Sequence, residues 1–542
     1  MHYKTILLAI GILSLPQGLL ALPANEVRII IKYKHSSPLT ALQAQLTNIT
    51  GQPVPTIKPM AGGAYTLIFD STSLHDSTTN LADATNIILA RLRKNPDVIY
   101  AVKDRVGYFK PLPQLATNME TLILAHQAQW DEFSRPGGVM LESEPYLHDG
   151  AWAYTRGLAT PPVVIAVLDT GVAAHKDLVD NLIKNEDGSM GGWNFSANNH
   201  NLDDETESYH GTHVAGTIAG YGQVITGMGE HLKILPIKIP DSAGMFYEST
   251  VINAIYWSVG GYVPGTPANP FPAKVINMSF GIDEPPGKEI DHCDEALQEA
   301  LWFARKQGAV LITAAGNDNR WEHYNAPAVC NGTLKIAATG PEGLRAYYSN
   351  YGPSVTFAAP GGDLHYGKEG GILSTVRPQG GYQNSGFDFY QGTSMATPHV
   401  AGIAGLMFAA REQLITPQQV EQILYTTTHN FGPSDNVSKS CVNEKPCGHG
   451  ILDAENALKA TLAHFDVLFS APTDNVQATL ATTTPWIKIN RLKASAQPSL
   501  PYVHQAKDGT IYAFSGAERY KLDLRAYRQC QIIGFDGVGC YR

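Results

Sequence analysis

The sequence predicts a three-layer α/β fold on a doubly wound parallel sheet. Short apolar runs such as Val163–Leu168 and Ala309–Thr313 lack the alternation of a half-exposed strand, so they read as strands buried on both faces. Stretches of helical spacing, such as Asp294–Gln307, fall between such runs. Chemistry-bearing residues, Asp169 first among them, sit at the carboxyl ends of the runs, where open α/β sheets place their sites.

Taken in order, the chain opens on a leader, 1–24. Lys4 supplies positive charge, Ile6–Leu15 is apolar up to Pro16, and Ala21 and Ala24 are small enough for a cleavage site. The run is shorter than the roughly 20 residues that span a bilayer, so it predicts export without an anchor. Segment 25–110 then predicts a small α+β unit of ferredoxin-like type. Val27–Tyr33, Ala64–Phe69 and Val98–Val102 read as strands, while Leu39–Thr47 and Ala82–Lys94 have helical spacing. A linker, 111–128, carries Pro111, Pro113 and Asn118.

The main domain, 129–462, adds strands at Lys233–Ile239, Ala273–Met278 and Leu334–Ala338. Val214–Ala219 and Val400–Ala410 predict helices packed in the core, the second with Pro398 in its first turn, where a missing N–H is tolerated. An extension, 463–542, is rich in Pro, Thr, Ser and Ala, with short strands expected at Thr510–Phe514 and Gln531–Phe535, so it reads as β-rich.

At 542 residues the chain exceeds one ordinary domain, and 44% apolar against 16% charged residues suits a large buried core. A net charge of −10 argues against a nucleic-acid partner, and no membrane contact is expected beyond export. Six cysteines fit an oxidising destination, and none forms the Cys-x-x-Cys of a zinc site. The expected pairing is sequential: Cys293 with Cys330, Cys441 with Cys447, Cys530 with Cys540. Other pairings, or free buried thiols, stay open.

Three glycine-rich motifs carry the chemistry: Val167-Leu168-Asp169-Thr170-Gly171, His210-Gly211-Thr212-His213-Val214-Ala215-Gly216 and Gly392-Thr393-Ser394-Met395-Ala396-Thr397-Pro398-His399. Ser is a weak nucleophile until an imidazole takes its proton, and the imidazole needs a carboxylate to fix its tautomer. The order Asp, His, Ser differs from that of chymotrypsin-like chains and of α/β-hydrolases. A lipase-like esterase fits poorly, because Gly392-x-Ser394-x-Ala396 lacks the final glycine. Asp-Thr-Gly also marks aspartic proteases, but those need two such carboxylates, and only one is present.

These motifs resemble the active-site signatures of the subtilase family of serine endopeptidases. Thr313-Ala314-Ala315-Gly316-Asn317-Asp318, Val275–Gly281, Tyr348–Gly352 and Ala358–Gly362 extend the resemblance over about Gln129–Ala460. It implies Ser394 as nucleophile, His210 as general base and acid, and Asp169 as its orienting partner, leaving His213 and His399 as core residues. It implies Asn317 as oxyanion donor beside the Ser394 backbone N–H. Gly244, Met245 and Phe246 would flank an extended substrate on one side and Ser279, Phe280 and Gly281 on the other, with Ala314, Ala315 and Gly316 lining a small-walled primary pocket. Cleavage after apolar or aromatic residues is expected.

Segment 25–110 resembles a subtilase propeptide, a folding template that then blocks the cleft and is cut off between Tyr108 and Leu124. The implied protein is a secreted, monomeric zymogen acting on proteins or peptides, with no catalytic cofactor. Structural calcium, frequent in the family, would draw on Asp177, Asp180, Asp187, Asp203 and Asp204, which form no recognised loop. Two other activities remain open on the same residues: acyl transfer or ligation to an amine, and an inert binding protein.

Overall fold

The computed structural model describes residues 26–109 and 128–463, apart from short loops within them, and beyond these only the backbone of short strands. The leader and nearly all of the linker, with the processing cut expected there, lie outside the described residues.

The run Ile29-Ile30-Ile31 is apolar on both faces of its strand, and both faces are covered. It lies in β1 (Glu26–Tyr33), which is followed by α1 (Leu39–Thr50), β2 (Thr56–Pro59), β3 (Ala64–Asp70), α2 (Leu81–Arg93) and β4 (Val98–Lys103). The antiparallel sheet has the order β2-β3-β1-β4, which is the ferredoxin-like wiring. Val27, Ile29 and Ile31 pack on Leu42, Leu46, Ile88 and Leu92 of this module's own helices. Ile30, Ala64, Tyr100 and Val102 point the other way, into a core shared with the main body. A short strand, β5 (Val106–Tyr108), leaves the module toward that body.

The body is built around β6 (Val164–Asp169), β7 (Trp193–Asn194), α3 (His210–Ala219), β8 (Lys233–Lys238), β9 (Met245–Tyr247), α4 (Glu248–Ser258), β10 (Val275–Met278), α5 (Glu295–Lys306), β11 (Val310–Ala314), β12 (Leu334–Thr339) and β13 (Phe357–Pro360). Seven of these strands form one sheet, ordered β13-β12-β11-β10-β6-β8-β7, with every pairing parallel. Strand alternation sorts the side chains into two cores. Ile165 and Val167 of β6, with Val310 and Ile312 of β11, face α3 and the later helices. Val164, Ala166 and Leu168, with Leu311, face α4 and α5. Helices on both faces of a parallel sheet make the three layers expected from the unbroken apolar runs.

The chain continues through a hairpin, β14 (Ile372–Val376) and β15 (Gly386–Tyr390), to the helices α6 (Thr393–Ala410), α7 (Pro417–Thr426) and α8 (Ala454–Leu462). Helix α6 starts earlier than its apolar run suggested, so Pro398 lies in its second turn, not its first. A proline there cannot donate to the carbonyl of Ser394, four residues back. Ser279 Oγ donates to that carbonyl instead, at 3.0 Å. The expected cap position is thereby corrected, and the displaced bond ties the start of α6 to the end of β10.

Module and body meet through polar groups as well as apolar ones. Asp104 accepts from Ser249 N (2.8 Å) and Ser249 Oγ (2.8 Å), capping α4, whose own N-cap residue Tyr247 offers no side-chain bond. Arg105 donates to both carboxylate oxygens of Glu248 (2.7 and 2.6 Å) and to Asp294 (2.6 Å), the N-cap of α5.

Two of the expected disulfides are present, Cys293–Cys330 and Cys441–Cys447. In the extension the backbone strands are β16 (Trp486–Ile487), β17 (Tyr502–Gln505), β18 (Ile511–Ser515), β19 (Glu518–Lys521), β20 (Gln529–Ile533) and β21 (Gly537–Tyr541). The β20–β21 register sets Cys530 opposite Cys540. Their side chains lie outside the described residues.

Candidate active site

Asp169 is the last residue of β6 and is wholly buried. Its Oδ1 accepts from Thr170 N at 2.8 Å and meets His210 Nδ1 at 2.8 Å. A carboxylate can only accept here, so Nδ1 carries the proton and Nε2 keeps its lone pair. Burial alone pushes the His210 ring toward the neutral form. The charge and hydrogen bond of Asp169 outweigh burial, and the net effect raises its pKa above the usual 6.5.

His210 opens α3, and the preceding residue, Tyr209, sits in the left-handed region at φ 46°. The turn is tied down by Asp204, whose Oδ2 accepts from Thr170 Oγ1 (2.9 Å), Thr212 N (3.1 Å) and Thr212 Oγ1 (3.0 Å). His213, one turn along, is a different kind of residue. Its Nε2 donates to the carbonyls of Ile372 (3.0 Å) and Asp388 (3.1 Å), and its ring stacks on Tyr390 at 4.3 Å. Burial pushes its pKa down to about 3.

Ser394 is the second residue of α6 and half-buried in an otherwise buried first turn. Its Oγ donates to Ser279 O at 3.0 Å, not to His210. Hydrogen bonds of this kind often form only once a reacting group is in place. Asn317 follows β11, and its Oδ1 accepts from Thr393 N (2.8 Å) and Thr393 Oγ1 (2.9 Å), which leaves the other end of the amide as a donor. A Cβ built on Gly392 would stand 3.5 Å from Asn317 Nδ2 and 3.6 Å from Ser394 N. Two donors, with Met395 Sδ at 3.7 Å, therefore lie within van der Waals distance of one point beside the side-chain-free Gly392.

The expected substrate walls are occupied by the chain itself. β5 pairs antiparallel with β9, setting Gly107 opposite Phe246 and Tyr108 opposite Met245. Phe109 N donates to Gly244 O at 2.8 Å, and Gly107 bridges Ile282 on the other side. The Phe109 ring lies 5.3 Å from that of His210 and 6.0 Å from that of Phe280. Gly244, Met245, Ser279, Phe280, Gly281 and Ser394 thus surround one cleft.

The segment expected to line a primary pocket is less bare than its small residues suggested. Ala314 and Ala315 are buried, and the space a side chain on Gly316 would fill is taken by Asn325 and Asn350. Asn325 also stands against Gly281. Asn350 accepts from Asp318 N (3.0 Å) and Arg320 N (3.1 Å) and donates to Ala315 O (3.0 Å), so it shapes the loop that carries Asn317. Sequence reasoning missed both roles. A lone asparagine in a loop has no periodicity to betray it, though Asn350 lay in a motif already recognised.

The acidic residues considered for calcium do not converge. Asp203 pairs with Arg377, Asp204 braces the His210 turn, and Asp187 accepts from Ser189 N in its own turn at 2.9 Å. Among the described residues no three His, Cys, Asp or Glu side chains gather as a metal set.

The subtilase family profile matches residues 161–450. The chain is 30% identical over 482 residues to an extracellular basic protease of Dichelobacter nodosus, covering 81% of this chain and 71% of that one. It is 32% identical over 336 residues to an extracellular protease of Xanthomonas campestris, covering 58% of this chain and 53% of the relative. Among solved structures, a protease from Pseudoalteromonas arctica superposes with TM-score 0.53 at 34% identity, over 62% of this chain and 98% of its own. Fervidolysin from Fervidobacterium pennivorans shares the fold at 19% identity and TM-score 0.55, over 95% of this chain and 69% of its own.

Proposed function

Because this chain belongs to the subtilase family, we propose that its body, 129–462, is a secreted serine endopeptidase using Asp169, His210 and Ser394. The observation that carries the proposal is the Asp169–His210 bond of 2.8 Å, together with a half-buried serine at the start of α6 and two donors near Gly392 just before it. Ser394 Oγ attacks a peptide carbonyl as its proton passes to His210 Nε2. Asp169 keeps the ring in the Nδ1–H tautomer and stabilises the imidazolium that forms. The carbonyl oxygen, now an anion, sits between Asn317 Nδ2 and Ser394 N. His210 then protonates the leaving amine, and water, activated by the same ring, clears the acyl-enzyme.

The module 25–110 acts in this proposal as an intramolecular inhibitor. Its tail lies in the cleft as an added antiparallel strand, the way a substrate backbone is held. Export is supported by the leader, by two disulfides and by the extracellular relatives.

The test is covalent labelling. A fluorophosphonate added to the processed protein should modify Ser394 alone, mapped by peptide mass, and His210→Ala should abolish the adduct. An adduct at another serine, or one indifferent to His210, would overturn the assignment.

A further inference from the structure

Within the cleft, Gly107, Tyr108 and Phe109 meet three different environments. Tyr108 points outward and is 47% exposed. Phe109 turns inward among the rings of His210, Phe246 and Phe280. Gly107 also turns inward, is buried, and meets a wall. A Cβ at this position would come within 2.3 Å of Phe246 Cζ, 2.5 Å of its Cε2 and 3.1 Å of the Gly281 carbonyl oxygen.

The Phe246 ring is poorly placed to give way. It is 3% exposed and packs edge-on against Phe280, with centroids 5.2 Å apart. Gly107 and Phe246 are direct partners in the β5–β9 register, so their side chains share one face of the pair. On its other flank Gly107 is pinned by the bridge to Ile282, which leaves no lateral escape. A side chain here would have to displace a packed ring, whereas glycine displaces nothing.

We propose that Phe246 fills the subsite two residues upstream of the one Phe109 occupies, making the cleft selective for glycine there. The preferred ligand is an extended peptide of the pattern glycine, any residue, aromatic residue. Phe246 is then a specificity-determining residue, and Gly107 is the module's fit to it. The proposal rests on reading the tail as a substrate-like occupant of the cleft.

Two measurements decide it, and the first needs no catalysis. In the full chain carrying Ser394→Ala, amide hydrogen exchange is followed at Phe109, whose N–H is bonded to Gly244 O. Gly107→Leu should speed that exchange about ten- to hundredfold, and adding Phe246→Ala should restore the protection. In the second, the processed enzyme is given matched peptides with Gly, Ala or Leu at the upstream position. Wild type should favour Gly in kcat/KM by about tenfold or more, and Phe246→Ala should lose that preference. Unchanged exchange in Gly107→Leu, no rescue by Phe246→Ala, or equal cleavage of the Gly and Leu peptides would overturn the proposal. If no peptide of any kind were cleaved, the protease assignment would fall, and the exchange measurement would still decide whether Phe246 excludes a side chain.

Discussion

The N-terminal module and the body cover their sheets in different ways. In the body, both faces of the parallel sheet are covered by helices of the body itself, α3 and α6 on one side and α4 and α5 on the other. In the module, α1 and α2 cover one face only, and the second face, with Ile30, Tyr100 and Val102, lies on α4 and α5. The body is complete without the module, whereas the module lacks a cover without the body. This asymmetry suits the proposed removable template, whose departure would uncover an outer helix surface and leave the body's sheet covered on both faces. Charged ties follow the same division. Arg105 joins module to body, while Arg305 and Glu421 form a pair buried wholly within the body.

Substitutions should therefore separate into those that alter chemistry, those that unfold the body and those that only free the module. The largest effect belongs to the site. His210→Ala should lower kcat/KM on peptides by about 10⁴-fold or more. Its raised pKa also sets the pH profile: the base works only when neutral, so activity should fall as pH drops through a value above 6.5. A profile with its acid limb well below 6.5 would remove His210 as the base.

Next comes the body. Arg305→Ala removes the buried cation that donates to both carboxylate oxygens of Glu421 and should cost about 3–5 kcal/mol in denaturant unfolding of the processed protein. Arg105→Ala acts on the seam between the two regions. It strips Glu248 and Asp294 of a shared cation and should weaken module–body affinity by about 2–5 kcal/mol, measured by inhibition of the processed enzyme. Arg105 leaves with the module, so the processed body keeps the wild-type sequence and stability, and an affinity unchanged by the substitution would break the distinction between the two regions.

The smallest effect is acid sensitivity of the body. Burial holds His213 down to about 3 and His175 down to about 4, against 6.5 for an exposed ring. Each ring binds fewer protons in the folded chain than in the unfolded one. Stability contributed by these rings is present above pH 6.5 and drains as pH falls toward their folded values. His213→Gln should flatten that decline, as read from unfolding midpoints across pH.

Much of this organisation was legible in the sequence. The unbroken apolar runs gave away a parallel sheet, and the three glycine-rich motifs marked the residues of the candidate site. What escaped was non-local. β5 is three residues long, and its partner β9 lies far along the chain, so no local pattern announces their pairing. The start of α6 escaped because its first turn, Thr393–Ala396, opens on two hydroxyl residues, and the unbroken apolar run begins only after Pro398. The triple isoleucine of β1 marks a strand, and its lack of alternation also signals a second covered face.

The central claim is that Ser394 acts on a chain whose own module blocks it. Wild type and Ser394→Ala, expressed side by side and compared by intact mass, test it most directly. Wild type should shed the module as a fragment ending beyond Tyr108 and gain peptidase activity, while the mutant stays uncut and inert. A mutant trimmed at the same bond, or a wild type that stays whole and inactive after refolding, would contradict it.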